Sequence, residues 1–267
     1  MNAKSIISET LEIIKYGYYY YENKKITFPN DNYRDILVYS PDMLKNIDFP
    51  NNNTSICTVD VVNNDTYNAA RKYIYPLVMN FANPRRPGGG FVLGSKAQEE
   101  TLCRNSTLYA SINSKKAMEM YLYNISNYDP LDSDYMLLSP SVWVFRDGNG
   151  NLIPKPFKTA VISAPAPNIY GGAKNIPTDV LNTTIRHRIR NLFKVAAVNN
   201  FNTLILGAWG CGAFGNEPHN VAQCFCDVIF SEKYGQYFDK IVFSICGDKH
   251  NNYSIFKNII ETKQKSF

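Results

Sequence analysis

Residues Thr203–Pro218 read "TLILGAWGCGAFGNEP". An apolar run leads into a glycine-rich loop, and a proline opens the next periodic segment. The pattern is strand, tight loop, helix start. The near-continuous apolar character of Thr203–Gly207 suits a strand buried on both faces, as in a parallel sheet, and Lys240–Cys246, "KIVFSIC", reads the same way. Three further runs predict strands: Ser55–Val61 "SICTVDV", Pro76–Phe81 "PLVMNF" and Ala160–Ala164 "AVISA". Met136–Phe145, "MLLSPSVWVF", looks extended but broken at Pro140. Between these lie helical patterns: Asp65–Tyr73, Gln98–Ile112 with Leu102, Ser106 and Tyr109 on one face, Thr178–Val198, Glu217–Ser231 and Asn252–Thr262. Strands alternating with helices predict an α/β domain with a mostly parallel or mixed sheet. In such sheets ligands sit beyond the carboxyl ends of the strands.

Composition narrows the function classes. The 267 residues are 45% hydrophobic and 19% charged, an ordinary globular balance, with no internal repeat and no Ser/Pro/Gly-rich linker, so a single domain is expected. No apolar run reaches the roughly 18–20 residues of a membrane span. The first segment, "MNAKSIISETLEIIKYG", carries acids where a signal peptide has a smooth apolar core, and reads as an amphipathic helix. Six scattered cysteines without a C-x-x-C pair predict a reducing, cytoplasmic setting rather than a disulfide framework. Three distant histidines (His187, His219, His250) give no support for a zinc site or a histidine-based triad. The formal charge of +5 permits a polyanionic partner without requiring one.

Two glycine loops follow strands. In the second, Gly210 to Gly215 forms a literal G-x-G-x-x-G, but the acidic residue a dinucleotide site requires is misplaced: Asp239 precedes its strand. What remains is a glycine-rich backbone at a helix start, an anion cradle. The first loop, Pro87–Glu100 "PGGGFVLGSKAQEE", has the G-x4-G spacing of a P-loop from Gly89 to Gly94, followed by Ser95-Lys96 in the wrong order. Ser95 to Gln98 fits the capping-box template and predicts a helix start just before Glu99 and Glu100. Taken alone, the acid pair reads as a first helical turn matched to the helix dipole. With two anion cradles nearby, it reads as acid–base chemistry on whatever a diphosphate carries.

The joint pattern of "NFANPRRPGGG" (Asn80–Gly90), "QEE" (Gln98–Glu100) and "GAWGCGAFGN" (Gly207–Asn216) resembles the poly(ADP-ribose) glycohydrolases, in their compact, bacterial-type branch. "ISETLEIIKYGYY", "LVYSPDML", "DPLDSDYMLLSPSVWVFRDGNG" and "ISAPAPN" extend the resemblance along almost the whole chain. It implies a macrodomain-like three-layer sandwich, a mixed central sheet between helices, with roughly residues 1–50 as an N-terminal helical extension packed on the core. It implies hydrolysis of the ribose–ribose O-glycosidic bond of poly(ADP-ribose), releasing ADP-ribose, with no metal or other cofactor. Implied partners are the polymer and ADP-ribosylated proteins; direct DNA or RNA binding is not expected.

Carried over by motif, Glu100 is the catalytic acid and Glu99 its substrate-positioning neighbour. Asn83 orients the ribose at the cleaved bond, Gly88, Gly89 and Gly90 shape the catalytic loop, and Gln98 touches substrate while competing with its own capping role. Ala208, Trp209, Gly210, Cys211, Gly212 and Ala213 wrap the diphosphate, and Phe214 packs on the ribose next to the scissile bond. Long animal-type members carry Asp where this chain has Asn80. No motif fixes the adenine-stacking residue. An ordinary glutamate is ionised at neutral pH, so burial and a bound diphosphate are expected to favour the protonated acid. Adjacent helical residues point about 100° apart, so the two acids are not equivalent. A non-catalytic ADP-ribose reader and a protein mono-ADP-ribosyl hydrolase are the alternatives. Cys211 reads as a small residue fitting its turn and Tyr16–Tyr21 as packing; Arg85 and Arg86 read equally as polymer contacts or as a solvated pair.

Overall fold

The computed structural model describes residues 3–29, 32–50, 56–247 and 251–266. The chain opens with α1 (Ala3–Tyr16), a hairpin of β1 (Tyr18–Tyr21) and β2 (Lys24–Thr27), then β3 (Leu37–Tyr39) and α2 (Pro41–Lys45). It continues with β4 (Thr58–Val62), α3 (Thr66–Ala70), β5 (Leu77–Phe81), α4 (Gln98–Asn105), α5 (Leu108–Ile112) and α6 (Met118–Ser126). The long strands β6 (Met136–Arg146) and β7 (Leu152–Ala164) follow, then α7 (Thr178–Val198), β8 (Thr203–Leu206), α8 (Pro218–Cys226), β9 (Lys240–Ser244) and α9 (Asn252–Gln264). The Ser55 start expected for the first predicted strand lies outside the described residues.

Seven strands form one sheet in the order β3-β6-β7-β5-β8-β9-β4. β7, β5, β8, β9 and β4 run parallel to one another, β6 is antiparallel to β7, and β3 is antiparallel to β6. Side chains of a strand alternate between faces, and two cores follow from that period. Leu77, Met79, Ile162, Leu204, Leu206, Ile241 and Phe243 pack under Leu192 and Phe193 of α7, Phe225 of α8 and Phe256 of α9. Val78, Val161, Ile205 and Val242 face the other way, onto Tyr67 of α3, Leu102 of α4, Leu108 of α5 and Met120 of α6. The result is the expected three-layer mixed α/β sandwich. The N-terminal segment is built into it: β3 supplies an edge strand, and Thr10 of α1 donates to the Arg104 carbonyl of α4 at 2.8 Å.

Three local expectations change. Pro140 does not end its strand; it sits in a register shift between Ser139 and Val142, where a missing N–H is tolerated. The helix predicted over Gln98–Ile112 is two helices. Ser106 between them is extended (φ −151°) and bridges to Val144, while Thr107 exchanges bonds with Trp143. Pairing with β6 outweighs helical continuity there. In the tyrosine run, Tyr19 is buried with its hydroxyl on the Ile153 carbonyl at 2.6 Å, whereas Tyr16 and Tyr20 are exposed.

Arg188 of α7, 1% exposed, fastens the loop before β6 to the end of β7. Its guanidinium donates to Asp134 Oδ1 (2.7 Å), to the carbonyls of Leu131 and Asp132 (both 2.8 Å) and to the Pro165 carbonyl (3.1 Å). Removing one partner of a buried charged network leaves the others unsatisfied. Arg188→Met is expected to cost about 3–5 kcal/mol of stability, read from the urea midpoint; an unchanged midpoint would show that the loop is held without it.

Candidate active site

β5 and β8 are adjacent and parallel, with Leu77 opposite Leu204 and Val78 opposite Ile205. The two glycine loops therefore leave the same edge of the sheet side by side. The first turn of α4 is bound to the end of β5. Gln98 Oε1 accepts the Phe81 N–H at 2.9 Å, and its Nε2 donates to the Met79 carbonyl at 2.8 Å. The capping box is absent: the N-cap is Ala97, without a side-chain cap, and α4 begins at Gln98. Gln98 serves the strand instead. It lines the cleft, but both ends of its amide are already bonded to β5.

The glycine triplet has a different neighbour from the one expected. Gly88 (φ +66°) and Gly89 (φ +55°) are left-handed. A Cβ on Gly89 would stand 2.5 Å from Glu100 Oε1 and 3.0 Å from Glu99 Oε2, and one on Gly90 would collide with Ser95 Oγ. The triplet was expected to shape the catalytic loop. In the structure the space freed at Gly89 is filled by the two carboxylates, at Gly90 by Ser95 and at Gly88 by Tyr109 and Cys103, and Gly88–Gly90 are not among the residues lining the cleft. Gly89 backs the acids.

Those acids are buried unequally in function. Glu99, 3% exposed, has both oxygens occupied: Oε2 by the Asn83 N–H at 2.8 Å, Oε1 by Asn80 Nδ2 at 3.2 Å, with Asn80 also donating to Ser163 Oγ at 2.9 Å. Burial pushes Glu99 up to about 8 against those bonds, and the neighbouring Glu100 charge adds to the effect. Glu100 Oε1 accepts the Gly90 N–H at 2.8 Å, while Oε2 is buried without a hydrogen-bond partner among the described residues. Both acids line the cleft. Asn83 lies between the loops, its Oδ1 accepting the N–H groups of Arg85 and Arg86, each at 2.9 Å.

On the β8 side, Gly210 and Gly215 share φ +73°, and the loop closes on itself through Asn216 N–H to the Gly210 carbonyl at 3.0 Å. The glycine spacing thus serves loop closure rather than a dinucleotide fingerprint. The N–H groups of Gly210, Gly212, Ala213 and Phe214 donate to no acceptor among the described residues, which is the donor set of an anion cradle. Trp209 and Cys211 sit in this loop with their side chains buried. The Trp209 side chain, 1% exposed, points into the core with Nε1 on the Ala164 carbonyl at 3.0 Å, so only its backbone is presented. Cys211 does not line the main cleft; its buried thiol faces a neighbouring hollow, and burial pushes its pKa up, which removes it as a nucleophile. Ala208, Gly210, Gly212, Ala213 and Phe214 line the cleft with Asn83.

The cleft encloses about 590 Å³. It continues past the sequence candidates to Asn64, Asp65 and Thr66 after β4 and to Ser244, Ile245 and Asn252 around the end of β9. Sequence reading missed this far wall, although both strands point their carboxyl ends at the same edge.

An acid with one oxygen unpartnered among the described residues lines the same cleft as a set of unbonded amides, at the carboxyl ends of adjacent parallel strands of a macrodomain-like sandwich, a layout suited to glycosidic chemistry on a phosphorylated sugar. The chain belongs to the microbial-type poly(ADP-ribose) glycohydrolase (PARG) family, whose catalytic-domain model matches residues 7–147. The poly(ADP-ribose) glycohydrolase of Thermomonospora curvata is 29% identical with a TM-score of 0.89, over 96% of this chain and 98% of that one. Its complex with the inhibitor ADP-HPD gives 30% and 0.85 over the same shares. The Deinococcus radiodurans protein, solved with ADP-ribose, is 32% identical with a TM-score of 0.81, over 89% of this chain and 99% of that one. Against curated protein sequences the chain has no match. The activity is therefore hydrolysis of poly(ADP-ribose).

Two outcomes follow from the geometry. Gly89→Ala drives a methyl group into Glu100 and strains a left-handed residue, and is expected to lower kcat/KM by about 100-fold, the scale of a one-ångström misplacement in a site; retained activity would show that Glu100 has room to move. Glu99 binds its proton more tightly folded than unfolded, so its contribution to stability is present below the ordinary value of 4.5 and is lost as pH rises from there through about 8. Wild type should lose stability relative to Glu99→Gln over that window in paired denaturation curves, and parallel curves would place Glu99 ionised in the fold.

Proposed function

We propose that Glu100 is the general acid and base of the reaction, that Asn83 and Glu99 position the ribose at the scissile bond, and that Ala208–Phe214 hold the diphosphate. The observation that carries the reading is the difference between the two acids. Both Glu99 oxygens are engaged by Asn80 and Asn83, whereas Glu100 keeps one oxygen fixed by Gly90 and the other unpartnered in the cleft. A buried polar atom without a partner calls for a ligand, and here the leaving ribose oxygen supplies one.

In this reading Glu100, protonated in the substrate complex, gives its proton to the leaving ribose oxygen as the anomeric C–O bond breaks with its electron pair. The oxocarbenium-like centre is attacked by water, whose proton passes to the Glu100 carboxylate, restoring the acid. Glu99, held at about 8 by burial, is largely uncharged at neutral pH. It therefore sets the loop without adding a second fixed anion beside the diphosphate. The unbonded amides of Gly210, Gly212, Ala213 and Phe214 meet the diphosphate as hydrogen-bond donors.

The same reading takes the polymer and ADP-ribosylated proteins as partners and ADP-ribose as product, within one domain. All six cysteines are free, which supports a reducing, cytoplasmic setting. No helix among the described residues is long and apolar enough to cross a membrane.

Glu100→Gln is expected to keep ADP-ribose affinity and to lower turnover of purified poly(ADP-ribose) by about 10²–10⁴-fold, read by product sizing; Asn83→Ala should lower kcat more than it raises KM. Near-normal hydrolysis by the first variant would remove Glu100 from its role.

A further inference from the structure

Away from its β4–β9 wall the site described so far reaches Asn83 and Phe214, yet the bond to be cut has a second ribose on its far side. In poly(ADP-ribose) that leaving ribose belongs to an adenosine, so an adenine and a diphosphate stand close to the scissile bond. Two loops lie immediately outside the site, and each is anchored to one of its end residues.

The first loop, Tyr128–Asp132, is tied to the Asn83 turn. Asn124 Nδ2 donates to the Pro84 carbonyl at 3.1 Å, and Arg85 Nε donates to the Asn124 carbonyl at 3.3 Å. Arg85 also pairs with Asp132 at 2.8 Å and lies 5.4 Å from the centre of the Tyr128 ring. The second loop, Asn168–Ala173, is tied to Phe214 by the Ile169 N–H on the Phe214 carbonyl at 2.9 Å, and the Tyr170 ring covers Gly215, where a Cβ would come within 2.5 Å of it. The loops touch each other: a Cβ on Gly172 would stand 2.9 Å from the Pro130 carbonyl oxygen. Arg188 holds the first loop from below through the Leu131 and Asp132 carbonyls.

Each loop thus presents a tyrosine fixed from one side and open on the other, with Tyr128 78% and Tyr170 76% exposed. Next in sequence to Arg85, which lies over Tyr128, Arg86 is exposed, its guanidinium making no bond or ion pair among the described residues, while its N–H is on Asn83. The carboxylates of the first loop are engaged, Asp132 by Arg85 and Asp129 Oδ1 by the Leu131 N–H at 2.8 Å, while Glu217 lines the hollow beside Tyr170. Single exposed tyrosines need no explanation. Two on interlocked, anchored loops next to an unpaired cation make a stacking surface for a base and a contact for its phosphates.

We infer that Tyr128, Tyr170 and Arg86 form a subsite for the ADP-ribose unit on the leaving side of the scissile bond, its adenine stacked on a tyrosine and its diphosphate paired with Arg86. The inference rests on Asn83 and Glu100 holding the scissile ribose as proposed above. The subsite adds nothing to a single bound ADP-ribose and acts only when a further unit is present.

The test uses the full chain carrying Glu100→Gln and compares binding of ADP-ribose with binding of short poly(ADP-ribose) oligomers. The oligomers should bind about tenfold more tightly than the monomer, the scale of one stacked base. Tyr128→Ala, Tyr170→Ala or Arg86→Ala should each remove most of that difference and leave ADP-ribose affinity unchanged. Equal affinities for the two ligands, a parallel loss of both, or binding of oligo(dA) with the same sensitivity would overturn the subsite. Product sizing of the same samples reads the Glu100 assignment separately: persistent hydrolysis refutes that assignment, while the affinity difference still decides the subsite.

Discussion

The structure depends on how the first turn of α4 takes over the hydrogen bonds that β5 gives up as it leaves the sheet. A strand end in a buried site exposes N–H and C=O groups that must find partners. Here Gln98 satisfies the Phe81 N–H and the Met79 carbonyl, and Glu99 satisfies the Asn83 N–H. Three consecutive residues, Gln98, Glu99 and Glu100, therefore have three different neighbours: strand, strand end and glycine loop. Only the last retains an unpartnered oxygen. The helix cannot slide or rotate without uncovering buried backbone groups, so the position of the acid follows from the accounting of main-chain hydrogen bonds.

That arrangement separates two properties that adjacent acids might have shared. Burial favours the neutral form of Glu99, and its bonds to Asn80 and Asn83 tie it to β5 and to the turn that follows. Glu100 stays within the same first turn, yet faces the cleft with a single protein bond. The division is a consequence of helical geometry, in which successive residues point about 100° apart, acting on a helix whose azimuth is fixed by Gln98.

Much of this was legible in the sequence, for identifiable reasons. Buried parallel strands announce themselves as unbroken apolar runs, so β8 and β9 were visible, and the glycine loops that follow β5 and β8 marked the working edge of the sheet. Long-range pairing was invisible. Nothing local distinguishes Ser106-Thr107 from helix until Trp143 and Val144 are placed opposite, and the first half of β7 is too polar to show without β6 beside it. The triplet was read as shaping a loop, but sequence does not say what packs against it; at Gly89 and Gly90 it includes Glu100, ten residues on from Gly90 and itself part of the motif. Cys211 was read as a small residue fitting its turn and is buried there, whereas the burial of the Trp209 side chain under the same loop has no local signal in the sequence.

The pairing of β5 with β8 has a metric consequence. Hydrogen-bonded strands stand about 4.8 Å apart, a spacing fixed by backbone chemistry rather than by side chains. The glycine loop that leads to α4 and the loop of unbonded amides start from these two strands, so the sheet sets the spacing at which both segments begin. Substitutions in either loop alter what each presents, but the spacing of their origins stays the same.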